Sequence, residues 1–134
     1  MSAETAGLDV LLVEDDVAIA DMYRIKLEAE GCHVRTAADG PGGLRQALAC
    51  PPQVLLLDVR LPGFDGLDLL SRLRGDPNGA QVPVVMLTNF AEDDVVRRGV
   101  GLGALAHLVK SQTTPAQLFA TLLDLLAAAR QGSG

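Results

Sequence analysis

Apolar residues along this chain follow two alternating patterns. The first is the short run with no polar interruption: Val10-Leu11-Leu12-Val13, then Val54-Leu55-Leu56-Leu57, then Val82 to Leu87, where Pro83 suits only the start. A half-exposed strand alternates apolar and polar residues, so unbroken runs of this length require burial on both faces. His33 to Thr36 is a weaker strand, and Ala106 to Val109 is the last one. The second pattern is the longer segment with helical spacing. Val17 to Glu30 carries Ile19, Met22, Tyr23, Ile25 and Leu27 and stops at Gly31. Gly42 to Cys50 is predicted as a helix ended by Pro51-Pro52, and Gly66 to Arg74 places Leu67, Leu69, Leu70 and Leu73 on one side. Glu92 to Val100 is a short helix halted by Gly101-Leu102-Gly103. Thr114 to Arg130 is the last: Thr114 can cap it, Pro115 fits the first helical position, and Gln117 completes a capping box.

Strand and helix alternate five times, which predicts an α/β fold, a doubly wound five-stranded parallel sheet inside a three-layer sandwich. Crossovers are right-handed, so helices cover both faces only if the winding reverses once. The flavodoxin-like order 2-1-3-4-5 does this, with its switch point between strands 1 and 3. One domain over 9–130 is expected, between a flexible leader (1–8) and a flexible tail (131–134).

Composition narrows the function classes. A net charge of −6 argues against direct nucleic-acid binding or an anionic membrane surface, both of which need clustered Lys and Arg. No apolar run approaches the ~18 residues of a membrane span, and the N-terminus has no signal-peptide pattern. Cys32 and Cys50 are isolated, which fits two reduced, mostly buried thiols in a cytoplasmic protein.

In a parallel sheet every strand ends on the same edge, and here the residues after the apolar runs carry chemistry. Glu14-Asp15-Asp16 follow strand 1, Asp58 follows strand 3, Thr88 follows strand 4, and Lys110 follows strand 5. Strands 1 and 3 are expected to be neighbours, so their carboxylates meet in the switch-point crevice. Packed carboxylates repel unless a cation compensates. Mg²⁺ takes hard oxygen ligands, a lysine ammonium suits a phosphoryl oxygen, and a threonine hydroxyl can donate to another. Together these groups point to phosphoryl transfer to or from an aspartate.

These segments resemble the receiver domains of two-component response regulators. Val10 to Asp16 resembles the first strand and acidic pocket of that family; Leu55 to Gly66, with Asp58-Val59-Arg60-Leu61-Pro62-Gly63, resembles its phosphoacceptor segment. Val84 to Thr88 and Gly103 to Lys110 resemble its fourth and fifth strands, and the likeness covers roughly residues 8–130. The resemblance implies that Asp58 is the nucleophile toward a phosphohistidine of a histidine kinase or phosphotransfer protein. It implies Mg²⁺, with Mn²⁺ as the alternative ion, held by Asp15, Asp58, the carbonyl of Arg60, and Glu14 directly or through water. Thr88 and Lys110 would hold the phosphoryl oxygens, and Thr88 with His107 would form the switch. Asp16 is expected to be solvated or to cap a helix.

Three positions depart from the family pattern: Asn89 where a small residue is usual, His107 where Tyr or Phe is usual, and Ser111 where Pro often follows a cis bond. A cis bond before Ser would cost roughly 2.5–4 kcal/mol, so a trans bond with a shifted loop, or a strained cis bond, is expected. Arg60 and Phe90 flank the expected phosphoryl group and should slow its hydrolysis. On the last helix Leu118, Leu122, Leu125 and Ala129 form the core stripe; Phe119, Leu123 and Leu126 widen it. The width fits either a broad core helix or an apolar face for a homodimer or effector at helix 4, strand 5 and helix 5, the face the family uses. No output domain follows the last helix, so the chain reads as a stand-alone receiver or a piece of a larger regulator. The protein is expected to be a signalling phosphoacceptor and not an enzyme acting on other substrates. The alternative is a degenerate receiver working as a phosphorylation-independent binding module. A haloacid-dehalogenase-type phosphatase would need a second Asp where Arg60 stands, and an FMN binder would need a phosphate loop where three acids stand.

Overall fold

In the computed structural model, which describes residues 7–89 and 92–132, five parallel strands stand in the order β2-β1-β3-β4-β5. They are β1 (Asp9–Val13), β2 (His33–Ala37), β3 (Val54–Asp58), β4 (Val84–Thr88) and β5 (Ala106–Val109). The helices are α1 (Val17–Ala29), α2 (Gly40–Ala49), α3 (Gly66–Arg74), α4 (Asp93–Gly101) and α5 (Pro115–Gly132), with a 3₁₀ turn at Lys110–Gln112. The doubly wound α/β sandwich expected from the apolar pattern is the observed fold.

The pleat divides the apolar runs between two cores. Val10 and Leu12 of β1, Val54 and Leu56 of β3, and Val85 and Leu87 of β4 face a cluster closed by Tyr23 and Leu27 of α1 and Leu118 and Leu122 of α5. Their neighbours Leu11, Val13, Leu55, Leu57, Val84 and Met86 face a second cluster with Ala47 of α2 and Leu67, Leu69, Leu70 and Leu73 of α3. Each such fully buried leucine contributes about 1.5–3 kcal/mol relative to exposure. This is why the inner runs contain no polar residue.

Element ends follow local chemistry. Asp16 caps α1, its Oδ1 accepting from the Ile19 N–H at 3.1 Å. The expected start of α2 at Gly42 moves back to Gly40, because Asp39 is the cap, accepting from the Gly42 N–H, and Pro41 fits the first turn. β4 begins at Val84, two residues later than expected. The Thr114–Gln117 capping box forms in both directions, at 2.8 and 3.1 Å. α5 continues to Gly132, past the expected end at Arg130. Leu8 is buried, and its carbonyl accepts from the His33 N–H. The remainder of the expected leader, residues 1–6, and the end of the expected tail, 133–134, lie outside the described residues, as does the side chain of Ala129.

One surface expectation changes, and one open pair of readings narrows. Cys32 is buried, but Cys50 is exposed at the end of α2. On α5, Phe119, Leu125 and Leu126 are half-buried against the first core, so most of the wide stripe packs as a broad core helix does. The exposed large apolar side chains among the described residues are instead Val17, Met22 and Ile25 on α1, and Val100 and Leu105 flanking the α4–β5 turn. No helix among the described residues is long and apolar enough to cross a membrane.

Candidate functional site

Register sets the site. Val13 pairs with Leu57, so the next residues of the two strands, Glu14 and Asp58, leave the sheet side by side. Asp58 pairs with Leu87, and Thr88 with Val109, which places Thr88 and Lys110 at the same edge. The Glu14 N–H still bonds the Ala37 carbonyl at 3.0 Å, extending the β1–β2 ladder by one residue and turning the Glu14 side chain inward. Glu14, Asp58 and Thr88 are buried polar residues, whereas Asp15 is exposed.

The polar contacts converge on Asp58. Its Oδ1 accepts from the Arg60 N–H at 3.2 Å, and its Oδ2 accepts from Lys110 Nζ at 2.8 Å. Lys110 Nζ also lies 2.5 Å from Glu14 Oε2. Glu14 Oε1 accepts from the Asp16 N–H at 3.1 Å, while Oε2, though buried, has no well-aligned hydrogen-bond donor. Burial pushes the Glu14 carboxyl up to about 7; the Lys110 and Asp16 contacts pull it down, and the neighbouring charge of Asp58 raises it further. Burial pulls Lys110 down, but its bonds to Asp58 and Glu14 outweigh this, and its pKa ends above the ordinary lysine value.

Glu14, Asp15 and Asp58 each offer one carboxylate oxygen, all within 4.8 Å of one another. Three carboxylates face one ammonium, and a buried glutamate oxygen lacks an aligned donor. That donor set fits a hard divalent cation such as Mg²⁺. The Arg60 main chain sits beside Asp58 through its N–H. The Arg60 side chain is exposed and lies 3.6 Å from Glu92 in an ion pair. Phe90, expected with Arg60 to shield the site, lies outside the described residues.

Ser111 does not displace the lysine. Among the described residues no peptide bond is cis. The chain after β5 winds into the single 3₁₀ turn of Lys110–Gln112. Thr113 Oγ1 closes that turn on the Val109 carbonyl at 2.8 Å, and the Tyr23 hydroxyl donates to the Thr113 carbonyl at 3.2 Å. The helical spacing predicts Tyr23 only as one apolar position of α1. A tyrosine at an apolar helix position must find a partner for its hydroxyl once buried, as Tyr23 is, and that is the signal the sequence carries.

His107 stands between Ala106 and Leu108, both packed on the first core, so the pleat turns it to the other face, opposite Met86 of β4. Both ring nitrogens are buried and have no hydrogen-bond partner. Burial holds its pKa below the ordinary imidazole value. Asn89 is exposed just past Thr88. His33 is exposed on β2.

Comparison with known proteins agrees with this geometry. The family model described as the response regulator receiver domain matches residues 10–123. The chain is 36% identical over 121 residues to the phosphate regulon transcriptional regulatory protein PhoB of Rhizobium meliloti, covering 90% of this chain and 53% of that protein. It is 38% identical over 101 residues to the DNA-binding dual master transcriptional regulator RpaA of Synechocystis, covering 75% of this chain and 42% of that one. The chain thus spans about half the length of these curated relatives. Among solved structures, the chemotaxis response regulator CheY4 of Vibrio cholerae matches with a TM-score of 0.82 at 30% identity, covering 90% of this chain and 99% of that one. A CheY-like receiver domain protein from Methanospirillum hungatei matches with a TM-score of 0.86 at 26% identity, covering 95% and 99%.

Proposed function

This chain belongs to the response regulator receiver domain family, and from that premise we propose that it accepts a phosphoryl group on Asp58 from a phosphohistidine of a histidine kinase or phosphotransfer protein. The observation that supports this most directly is a buried aspartate bonded to a lysine and grouped with two further carboxylates at one strand edge.

A carboxylate oxygen of Asp58 attacks phosphorus, a P–O bond forms, and the P–N bond to the donor imidazole breaks. The Asp58 oxygen that attacks gives up part of its present hydrogen bonding as it does so. Lys110 is released from Asp58 toward a phosphoryl oxygen, and Thr88, at the end of β4, donates to another. Glu14, Asp15, Asp58 and the Arg60 carbonyl would hold Mg²⁺ or Mn²⁺, which supplies charge neutralisation for the incoming phosphoryl oxygens. Positioning and electrostatics, not covalent help from other residues, carry the rate. Hydrolysis of the acyl phosphate returns the domain to its starting state, so its only catalysis is on itself.

Phosphorylation would be read through Thr88 and His107 at the face formed by α4, β5 and α5, where Val100 and Leu105 are exposed. A homodimer or an effector would bind there. Such chemistry belongs in the cytoplasm, where the phosphodonors work.

The test is incubation with acetyl phosphate and Mg²⁺, followed by intact mass. A single phosphoryl adduct on the parent and none on Asp58→Ala is expected. Absence of an adduct on both would overturn the proposal in favour of a phosphorylation-independent binding module.

A further inference from the structure

The segment between β3 and α3 carries Arg60, and its far side is held by an element with no part in the site itself. The Gly40 N–H, at the start of α2, donates to the Pro62 carbonyl at 3.0 Å. A Cβ on Gly40 would lie 2.2 Å from the Phe64 carbonyl oxygen and 2.8 Å from the Phe64 ring, so only glycine admits this approach. Gly63, at φ +85°, lies so close to Pro41 that a Cβ there would sit 2.6 Å from the proline ring. Phe64 packs against the second core under the Arg72 guanidinium, 4.4 Å from the ring centroid. At its other end the segment closes on itself, the Gly66 N–H bonding the Val59 carbonyl at 2.7 Å.

We infer that the Asp39–Pro41 turn is a positioning device for the metal site: by clamping Pro62 to Phe64, Gly40 fixes where the segment beside Asp58 holds the Arg60 carbonyl, and so sets divalent-cation affinity. The inference rests on the proposed Mg²⁺ site. Pressure at this contact moves the segment and not the helix. α2 is seated flush on β1, where a Cβ at Gly43 would meet Val13 at 2.8 Å, and it buries Ala47 completely. Pro62 and Gly63 are exposed by contrast, and Phe64, which a Cβ on Gly40 would meet, is only half-buried, so the segment yields before α2 does. Gly40 touches no ligand atom; its action passes through the backbone of the segment. Partners that orient ligands in this indirect way tune metal affinity strongly.

The experiment measures Mg²⁺ affinity by calorimetry, together with the Mg²⁺ dependence of phosphorylation by acetyl phosphate. The proteins are the parent, Gly40→Ala and Phe64→Leu. Leu118→Ala, in the opposite core, serves as a variant of lowered stability. Gly40→Ala should weaken Mg²⁺ binding by about tenfold or more, with the phosphorylation rate recovered at saturating Mg²⁺. Phe64→Leu should shift affinity the same way, and it decides the matter if Gly40→Ala does not fold. Leu118→Ala should lose stability and keep parental affinity. Parental affinity in both segment variants, or an equal loss in Leu118→Ala, overturns the inference. A parent that binds no Mg²⁺ overturns the metal site itself.

Discussion

Replacing Lys110 by Met removes the ammonium that is bonded to Glu14 and Asp58 in a buried acidic cluster, while keeping a side chain of similar length. The Lys110, Glu14 and Asp58 side chains are 9%, 1% and 4% exposed, so solvent cannot take over the lost charge. Removing one partner of a buried ion pair costs about 3–5 kcal/mol. Lost packing contributes little, because the thioether fills most of the lysine stem. With a urea slope of about 1–3 kcal/mol per molar, the unfolding midpoint should fall by roughly 2 M in metal-free buffer near neutral pH. The acids have one escape, which is protonation. Glu14 already titrates at about 7 with the lysine present, and without it the value rises further. A carboxyl raised in the folded state binds more protons there than in the unfolded chain, so its effect on stability worsens as pH rises through that window. The deficit of Lys110→Met should therefore shrink by about half or more between neutral pH and pH 5.5. Mg²⁺ should stabilise the variant more than the parent, since the ion takes the place of the missing charge. Urea unfolding followed by circular dichroism, with EDTA or with Mg²⁺, measures all three effects. A deficit that ignores pH, or is absent, would refute the account of the cluster as a repulsive site held by Lys110.

Two further predictions concern other parts of the fold. His107→Phe should remove a pH-dependent contribution: the folded imidazole has a lowered pKa, so the parent loses stability as pH falls below the unfolded value of about 6.5. The stability difference between parent and variant should change between about pH 8 and pH 5, and identical pH profiles would show that the buried imidazole does not titrate on unfolding. Arg74→Met should cost about 3 kcal/mol or more, because the guanidinium donates to the carbonyls of Gly79, Val82, Leu102 and Gly103 and thereby ties the α3–β4 loop to the α4–β5 turn. Hydrogen exchange should accelerate in both loops together, and acceleration in only one would mean that the staple does not join them.

Much of the fold was legible because its signals are local or periodic. Short unbroken runs such as Val54 to Leu57, bounded by Pro51-Pro52 and by Pro62-Gly63, read as strands covered on both sides, and the sheet has a helix-bearing core on each face. Asp16, Thr114 and Gln117 are read as caps because a side chain three residues from a free N–H reaches it in any helix start. The acids and the lysine after the strands were legible as a group for a topological reason: parallel strands end on one edge whatever their exact register.

Other features depended on elements far apart in the chain. The sequence places Glu14 and Asp15 side by side with no sign of which turns inward; one more residue of the β1–β2 ladder buries the first and leaves the second in solvent. The sequence does not show that the Arg60 side chain pairs with Glu92, which lies far along the chain just before α4. Cys50 looked like a core thiol, yet the end of α2 leaves it exposed. The hold of Lys110 on Asp58 runs through a 3₁₀ turn supported from α1 by Tyr23, 90 residues away in the chain. Patterning along the chain thus decides which residues can be buried and which edge collects the polar ones, because both follow from backbone period. Which polar atom meets which is left to register and to close backbone approach, and these exist only once the strands and helices are assembled.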